Sequence, residues 1–283
     1  MIPHQIAITK ENMTPLIPRL MNGLLAALGL VLLLINPVHA ESDLGSLASL
    51  AQAYPEAPIP VGWTVGGAAL NIGARYAADT SQSYVFPGAI YMADHWAYLG
   101  DRARYYLYRN GPFASFAYGR LRVGNLDPDK HPEWNGLNAR KSELEAGIGG
   151  NLVTPFALLT GRICSDITGR SKGQEALLWA DFPVLRGRFL IMPGMGMQWR
   201  SRRLANYYFG GISEDEAGPE HPAYEVGNAL SFSSALITSY RFSEKWIGLL
   251  LLGYEVYDQK ISDSPLVQHD GEHMLIVGTG YQF

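Results

Sequence analysis

The sequence predicts an all-β protein, a transmembrane antiparallel β-barrel of about 12 strands with short periplasmic turns and long outer loops. Three observations predict it. The chain opens on an export signal, continues in short alternating segments, and ends on a strand whose last residue is aromatic. In that closing stretch, His273 to Phe283, the residues Leu275, Val277, Tyr281 and Phe283 share a row, with Thr279 its weakly apolar member. Alternation with a period of two gives a strand one apolar face.

The export signal comes first. Lys10 and Arg19 precede an apolar run from Leu24 to Ile35, which is followed by the small-residue cleavage site Val38-His39-Ala40. A spanning helix needs roughly 20 apolar residues, so this run is too short to be one. Residues 1–40 are therefore read as a signal peptide, 41–60 as a periplasmic N-terminal segment and 61–283 as the barrel. Met1, Met13 and Met21 all stand as starting residues. Beyond the signal, the longest strongly apolar stretch is Trp246 to Gly253, which has the length of a strand. These features mark the chain as exported, either periplasmic or a barrel in the outer membrane, and the strand pattern below selects the barrel in the cell outer membrane. Cys164 is the only cysteine, so an internal disulfide cannot stabilise it. A net charge of −4 without a basic run argues against nucleic acid.

The strands follow in order. Trp63 to Tyr76 places Gly66, Ala68, Leu70, Ile72, Ala74 and Tyr76 on one face. Phe86 to Met92 leads to a turn at Ala93-Asp94-His95, then to Trp96–Gly100 and Ala103–Tyr108 with a bend around Asp101. Arg109-Asn110-Gly111 carries an Asn-Gly hairpin signal before Phe113–Val123. Leu126 to Leu137 is polar and broken by proline, which makes it a loop. Ser142–Leu152, Ala157–Ile167, Glu175–Val184 and Phe189–Arg200 come next. A long polar insertion over 201–227 precedes Asn228–Phe242, Trp246–Tyr257 and His273–Phe283.

Connections on one side (93–95, 109–111, 153–156, 185–187, 243–245) are short, and those on the other (77–85, 124–141, 168–174, 201–227, 258–272) are longer. That alternation is what a barrel with a periplasmic N-terminus requires. The faces agree. Trp246, Leu250, Leu252, Tyr254 and Val256 make one row against Glu255, and Phe189, Ile191, Met195, Met197 and Trp199 make another against Gln198 and Arg200.

The opposite rows carry the charges: Arg75, Arg104, Arg120, Arg122, Glu143, Glu145, Arg162, Asp166, Asp181, Arg200, Arg241 and Glu255. Of these, Arg75, Arg120, Glu143, Glu145, Arg162, Asp181, Arg200, Arg241 and Glu255 form the expected charge network of the bore. Side chains this large fill a modest bore, so the reading favours a plugged barrel over an open pore. No enzyme is predicted. None of His95, His131, His221, His269 and His273 is followed two residues later by serine, the spacing that would let a base reach a nucleophile on the same strand face. His269-Asp-Gly-Glu-His273 has no second ligand pair at a defined spacing, so it is read as a hydrated loop, and no metal or cofactor is expected.

Several segments together resemble one family, that of the MltA-interacting protein and OmpV. They are Pro193-Gly-Met-Gly-Met-Gln-Trp199, Asn206-Tyr-Tyr-Phe-Gly-Gly-Ile-Ser213 with Glu216-Ala217, Asp263-Ser-Pro-Leu-Val267, Gly278 to Phe283, and Tyr84 to Tyr108 with Pro87 and Tyr105-Tyr106. The likeness runs from about Trp63 to the end. An extra Gly211 and a short hairpin at 109–111 depart from it. The resemblance implies an outer-membrane barrel embedded in lipid, with Tyr281 and Phe283 as the signal read by the barrel-assembly machinery. It also implies an interaction scaffold linking a murein-degrading lytic transglycosylase to a murein synthase. The alternative within the family is a porin-like channel or a surface adhesion protein.

Overall fold

The computed structural model describes residues 46–53, 57–124 and 126–283. The signal peptide expected over 1–40 lies outside the described residues. The wall consists of β1 (Gly62–Ile72), β2 (Gln82–Met92), β3 (Trp96–Tyr98), β4 (Arg102–Asn110), β5 (Phe113–Arg122), β6 (Glu143–Val153), β7 (Leu158–Asp166), β8 (Gln174–Asp181), β9 (Val184–Arg186), β10 (Phe189–Arg200), β11 (Ala229–Arg241), β12 (Trp246–Val256) and β13 (Gly271–Gln282). Among the described residues, short α-helices accompany it: α1 (Ser46–Ala53), α2 (Arg202–Tyr208) and α3 (Gln259–Ser262).

All pairings between these strands are antiparallel, and β13 pairs back onto β1, with Thr64 opposite Gln282 and Ile72 opposite Met274. The sheet therefore closes on itself. In hydrocarbon an open edge would leave backbone N–H and C=O groups without partners at several kcal/mol each, so closure is what lets strands cross a membrane. No helix among the described residues is long and apolar enough to cross one.

Thirteen segments make twelve wall strands, as the sequence predicts. β8 and β9 are one strand interrupted at Phe182-Pro183, with the register unbroken from Asp181 opposite Gly194 to Val184 opposite Ile191. Pro183 has no N–H to give the ladder, which is why the strand breaks there. The division of 96–108 into two strands also holds. β3 has three residues and meets β2 only at Tyr91 and Met92. Pro87 is tolerated because it lies on the stretch of β2 that has no ladder partner on that side. Two strands start two or more residues earlier than the sequence suggests, β2 at Gln82 and β13 at Gly271.

The turns on the N- and C-terminal side are tight. Gly111 and Gly187 adopt φ of +55° and +57°, left-handed values that favour glycine. The outward rows are apolar and end in exposed aromatics such as Phe113, Phe189, Phe242 and Trp246. Such rings settle at a membrane interface. The inward rows hold the core.

Candidate functional site in the bore

The bore is filled in three layers. The layer nearest the periplasm is mainly apolar, with Arg104 stacked over Phe116 at 4.3 Å and Asp181 buried opposite Leu158. Its inward side chains, among them Phe116, Leu158, Leu190, Met192 and Ile237, form one buried cluster with Leu47, Leu50, Ala57 and Ile59. Residues 41–60 are the expected periplasmic N-terminal segment, and Leu47, Leu50, Ala57 and Ile59 of its described part pack into the mouth of the barrel. Ser-Leu-Ala-Ser-Leu-Ala-Gln-Ala is rich in helix formers, and Leu47, Leu50 and Ala51 at i, i+3 and i+4 make one apolar stripe. Burying each leucine contributes up to about 1.5–3 kcal/mol. Polar contacts fix the segment. Ser49 Oγ and Tyr106 Oη lie 3.2 Å apart, Ser239 donates to the Pro58 carbonyl at 2.6 Å, and Arg241 donates to the carbonyls of Ala57 and Ile59 at 3.3 and 3.4 Å.

The middle layer is a buried charge cluster. Arg120 stands opposite Glu145, and Arg122 opposite Glu143, on the β5–β6 ladder. Glu145 accepts from Arg120 at 2.5 Å and from Arg122 at 2.9 Å. Glu175 is the hub. It reaches Arg120 at 2.9 Å, Arg122 at 2.6 Å, Arg162 at 3.1 Å and Arg200 at 3.6 Å. Arg200 goes on to Glu255 at 2.5 Å, to Ser231 at 2.9 Å and to Gln198. Four guanidinium groups thus face Glu143, Glu145, Glu175 and Glu255, and all eight are buried. The Cys164 thiol lies beside them, 3.7 Å from Glu145. Matching the charges inside the wall offsets a desolvation penalty of several kcal/mol per ion.

The outer layer is a cap. The insertion 201–227, read from sequence as polar, contributes buried Leu204, Ala205, Tyr208, Phe209 and Ile212 to a second apolar core. Leu126, Trp134 and Leu137 join them from the 124–141 loop, as do Tyr257, Ile261 and Leu266. These aromatic groups are spent on packing the loops together. The cap is seated on the charges, for Phe209 lies 4.0 Å below the Arg200 guanidinium and 4.2 Å from that of Arg75. Arg75 also pairs with Glu272 at 2.6 Å and donates to Tyr257 at 3.0 Å.

Glu216 ties the cap loops together. Its carboxylate accepts from Arg140 at 2.7 Å, from the Asn138 N–H at 2.8 Å and from Ser213 Oγ at 2.8 Å. Burial pushes this carboxyl up, but the hydrogen bonds from Arg140, Asn138 and Ser213 outweigh it and hold it down at about 2. A depressed carboxylate stabilises above its unfolded value near 4.5 and loses that contribution as the pH falls toward 2. Hydrogen exchange at 211–217 is therefore expected to quicken between pH 4.5 and 2 beyond its intrinsic pH dependence. A Glu216→Gln variant should show no such extra change, and an identical pH response in both proteins would contradict the assignment.

The predicted network residues fall into separate places. Arg120, Glu143, Glu145, Arg162, Arg200 and Glu255 meet in the middle layer. Arg75 joins the cap. Arg241 holds the plug at the other end, and Asp181 accepts from the Trp179 indole at 2.7 Å. Glu175 and Glu272, which the sequence reading left out, are central. Glu175 shares odd parity with Asp181 on one strand, so its inward direction was legible, but it sat at the predicted strand's first residue. The polar run at 269–273 diverges, with Glu272 pointing inward and His273 bonded to Asn71 at 2.9 Å. Among the described residues no three His, Cys, Asp or Glu side chains converge as a metal site.

Comparison with known proteins agrees with the sequence motifs. A family model described as MltA-interacting protein MipA matches residues 65–283. The MltA-interacting protein of Escherichia coli (strain K12) is 25% identical over 206 residues, covering 71% of this chain and 82% of that protein. Outer membrane protein OmpV of Vibrio cholerae is 22% identical over 157 residues, covering 56% of this chain and 61% of that protein. Among solved structures, the translocator domain of autotransporter NalP from Neisseria meningitidis aligns with a TM-score of 0.45 at 12% identity, over 84% of this chain and 97% of that one. With relatives that are outer membrane proteins and a closed barrel wall, this chain is an outer-membrane β-barrel and belongs to the MltA-interacting protein MipA family.

Proposed function

We propose that this protein is a sealed, non-catalytic barrel that anchors murein enzymes at the inner face of the outer membrane, bringing a lytic transglycosylase together with a murein synthase. One observation carries the non-conducting half of this reading. The bore is filled by a helix at its mouth, eight paired charges across its middle and an apolar cap outside. Opposite charges in a low-dielectric bore hold one another and leave little continuous water. The scaffold half is supported by the relative whose name records interaction with MltA. The periplasmic mouth, with the segment leading into the barrel, is the face that would meet such partners.

Planar-bilayer recording is expected to give small or no single-channel conductance for the unmodified protein. Arg200→Gln should raise it by loosening the charge layer, and Arg241→Gln should raise it less, since that residue holds only the plug. Large, steady openings from the unmodified barrel would replace the scaffold with a channel. Binding of purified lytic transglycosylase to the barrel in detergent, weakened by deleting 41–60, is the expected partner result. Absence of binding at micromolar concentrations would remove the scaffold role.

A further inference from the structure

We infer that one wall of the barrel is a binding site for a phosphorylated, multiply acylated glycolipid of the outer leaflet. The wall runs from Phe113 of β5 across β6, β7, β8, β10 and β11 to Tyr254 and Val256 of β12. Its lipid-facing side carries an apolar groove of ≈ 960 Å³. Gly150 and Gly161, directly opposite each other on the β6–β7 ladder, form a shallow part of its floor. Leu178, Met195, Met197 and Phe232 stand around it, with Leu178 61%, Met195 59% and Phe232 53% exposed. The missing side chain at Gly161 leaves a hollow between long apolar ones, bordered at Gly150 by the Phe113 ring, a shape that suits flexible acyl chains.

Charge at the loop-bearing ends of the same strands selects the occupant. The strand ends of this wall carry four exposed cations, Lys141 before β6, Arg170 and Lys172 in the β7–β8 turn, and Arg203 on α2 after β10. These segments are joined. The Ile167 N–H donates to the Leu144 carbonyl at 2.9 Å, and the Gln174 N–H donates to Ser201 Oγ at 2.8 Å. Among the described residues none of the four is in an ion pair, whereas the neighbouring Arg202 is held by Glu225 at 2.6 Å. Asp166, in the same turn as Arg170 and Lys172, is occupied by the N–H groups of Thr168, Gly169 and Lys172. Lys172 itself has φ of +53°, the one left-handed residue other than glycine among those described. A Cβ is disfavoured there, so the position keeps a cation where glycine would fit more easily. A basic rim over an apolar hollow, at the end of the barrel that bears the long loops, matches a lipid with phosphates at its head and several chains below.

Native mass spectrometry of the full-length barrel, titrated with hexa-acylated, bis-phosphorylated lipid A, tests this. The unmodified protein should retain the lipid, and removing both phosphates from the probe should weaken binding by at least about tenfold. That comparison needs no variant. The triple change Arg170→Gln, Lys172→Gln, Arg203→Gln should weaken it to a similar degree while the barrel stays heat-modifiable on gels. Gly161→Leu should weaken it by filling the groove, whose added Cβ meets only the Leu178 side chain at 3.5 Å. Lys130→Gln, on a cation already paired with Asp127 at 3.4 Å, should change nothing. Equal binding of the dephosphorylated probe would overturn the site, as would equal retention of phosphatidylglycerol, which would reduce the rim to a general attraction for anionic lipid.

Discussion

Replacing Glu175 by glutamine is expected to cost the barrel about 3–5 kcal/mol, because the change leaves a buried cation without compensation. Four guanidinium groups reach this one carboxylate, between 2.6 and 3.6 Å. Without it, Arg120, Arg122, Arg162 and Arg200 share the remaining three carboxylates, and the amide of glutamine supplies no charge. Asp181→Asn is the comparison. That residue is equally buried and accepts from the Trp179 indole at 2.7 Å, and its loss should cost less than that of Glu175, on which four guanidinium groups converge. Urea unfolding of the refolded barrel in detergent, followed by tryptophan fluorescence, measures both. The double variant Glu175→Gln, Arg162→Gln removes one charge of each sign and should recover part of the loss. A cost below about 1 kcal/mol for Glu175→Gln would mean that the middle layer is screened like a surface pair.

Deleting Phe283 is expected to lower the amount of assembled protein severalfold and to send the remainder to degradation. Phe283 is 80% exposed at the periplasmic end, and its ring lies 5.2 Å from Tyr281, which in turn meets Trp246 at 5.6 Å. The terminal residue therefore adds little to the folded wall beyond its N–H bond to the Trp63 carbonyl at 3.2 Å. A large effect of removing it must come from recognition before folding is complete. Gln282→Ala is the contrast, since that side chain turns inward and donates to the Val61 carbonyl. Immunoblots of outer-membrane fractions read the result. Equal abundance of the deletion and the unmodified protein would show that the terminal aromatic is not read.

Alternation is a property of neighbours two residues apart, and everything that follows from it was legible in the chain. The inward direction of Arg120, Glu145, Arg200 and Glu255, the aromatic ends of the outward rows and the twelve strands follow from that period, from turn chemistry and from the parity of short and long connections. The likeness to the MipA family was legible too, because its motifs are contiguous. Height along the bore was not. Arg200 and Arg241 lie on inward rows of neighbouring strands, yet one binds Glu255 and the other the Ala57 carbonyl near the opposite end.

Tertiary structure decided which charges meet, what closes the mouth and what the long loops do. Those outcomes depend on the stagger between strands and on the closure of β13 against β1, which no local pattern encodes. Glu175 became the hub because the β8–β10 ladder sets it opposite Arg200 and the β7–β8 ladder sets it opposite Cys164, two residues from Arg162. Leu47, Leu50 and the aromatics at 207–209 are short apolar groups inside polar stretches, and their burial needed partners from across the barrel. The sequence by itself determined the wall, the two faces of its strands and the membrane it crosses, since each rests on spacing along one strand. The filling of the bore rests on contacts between residues far apart in the chain, and only the closed barrel brings those together.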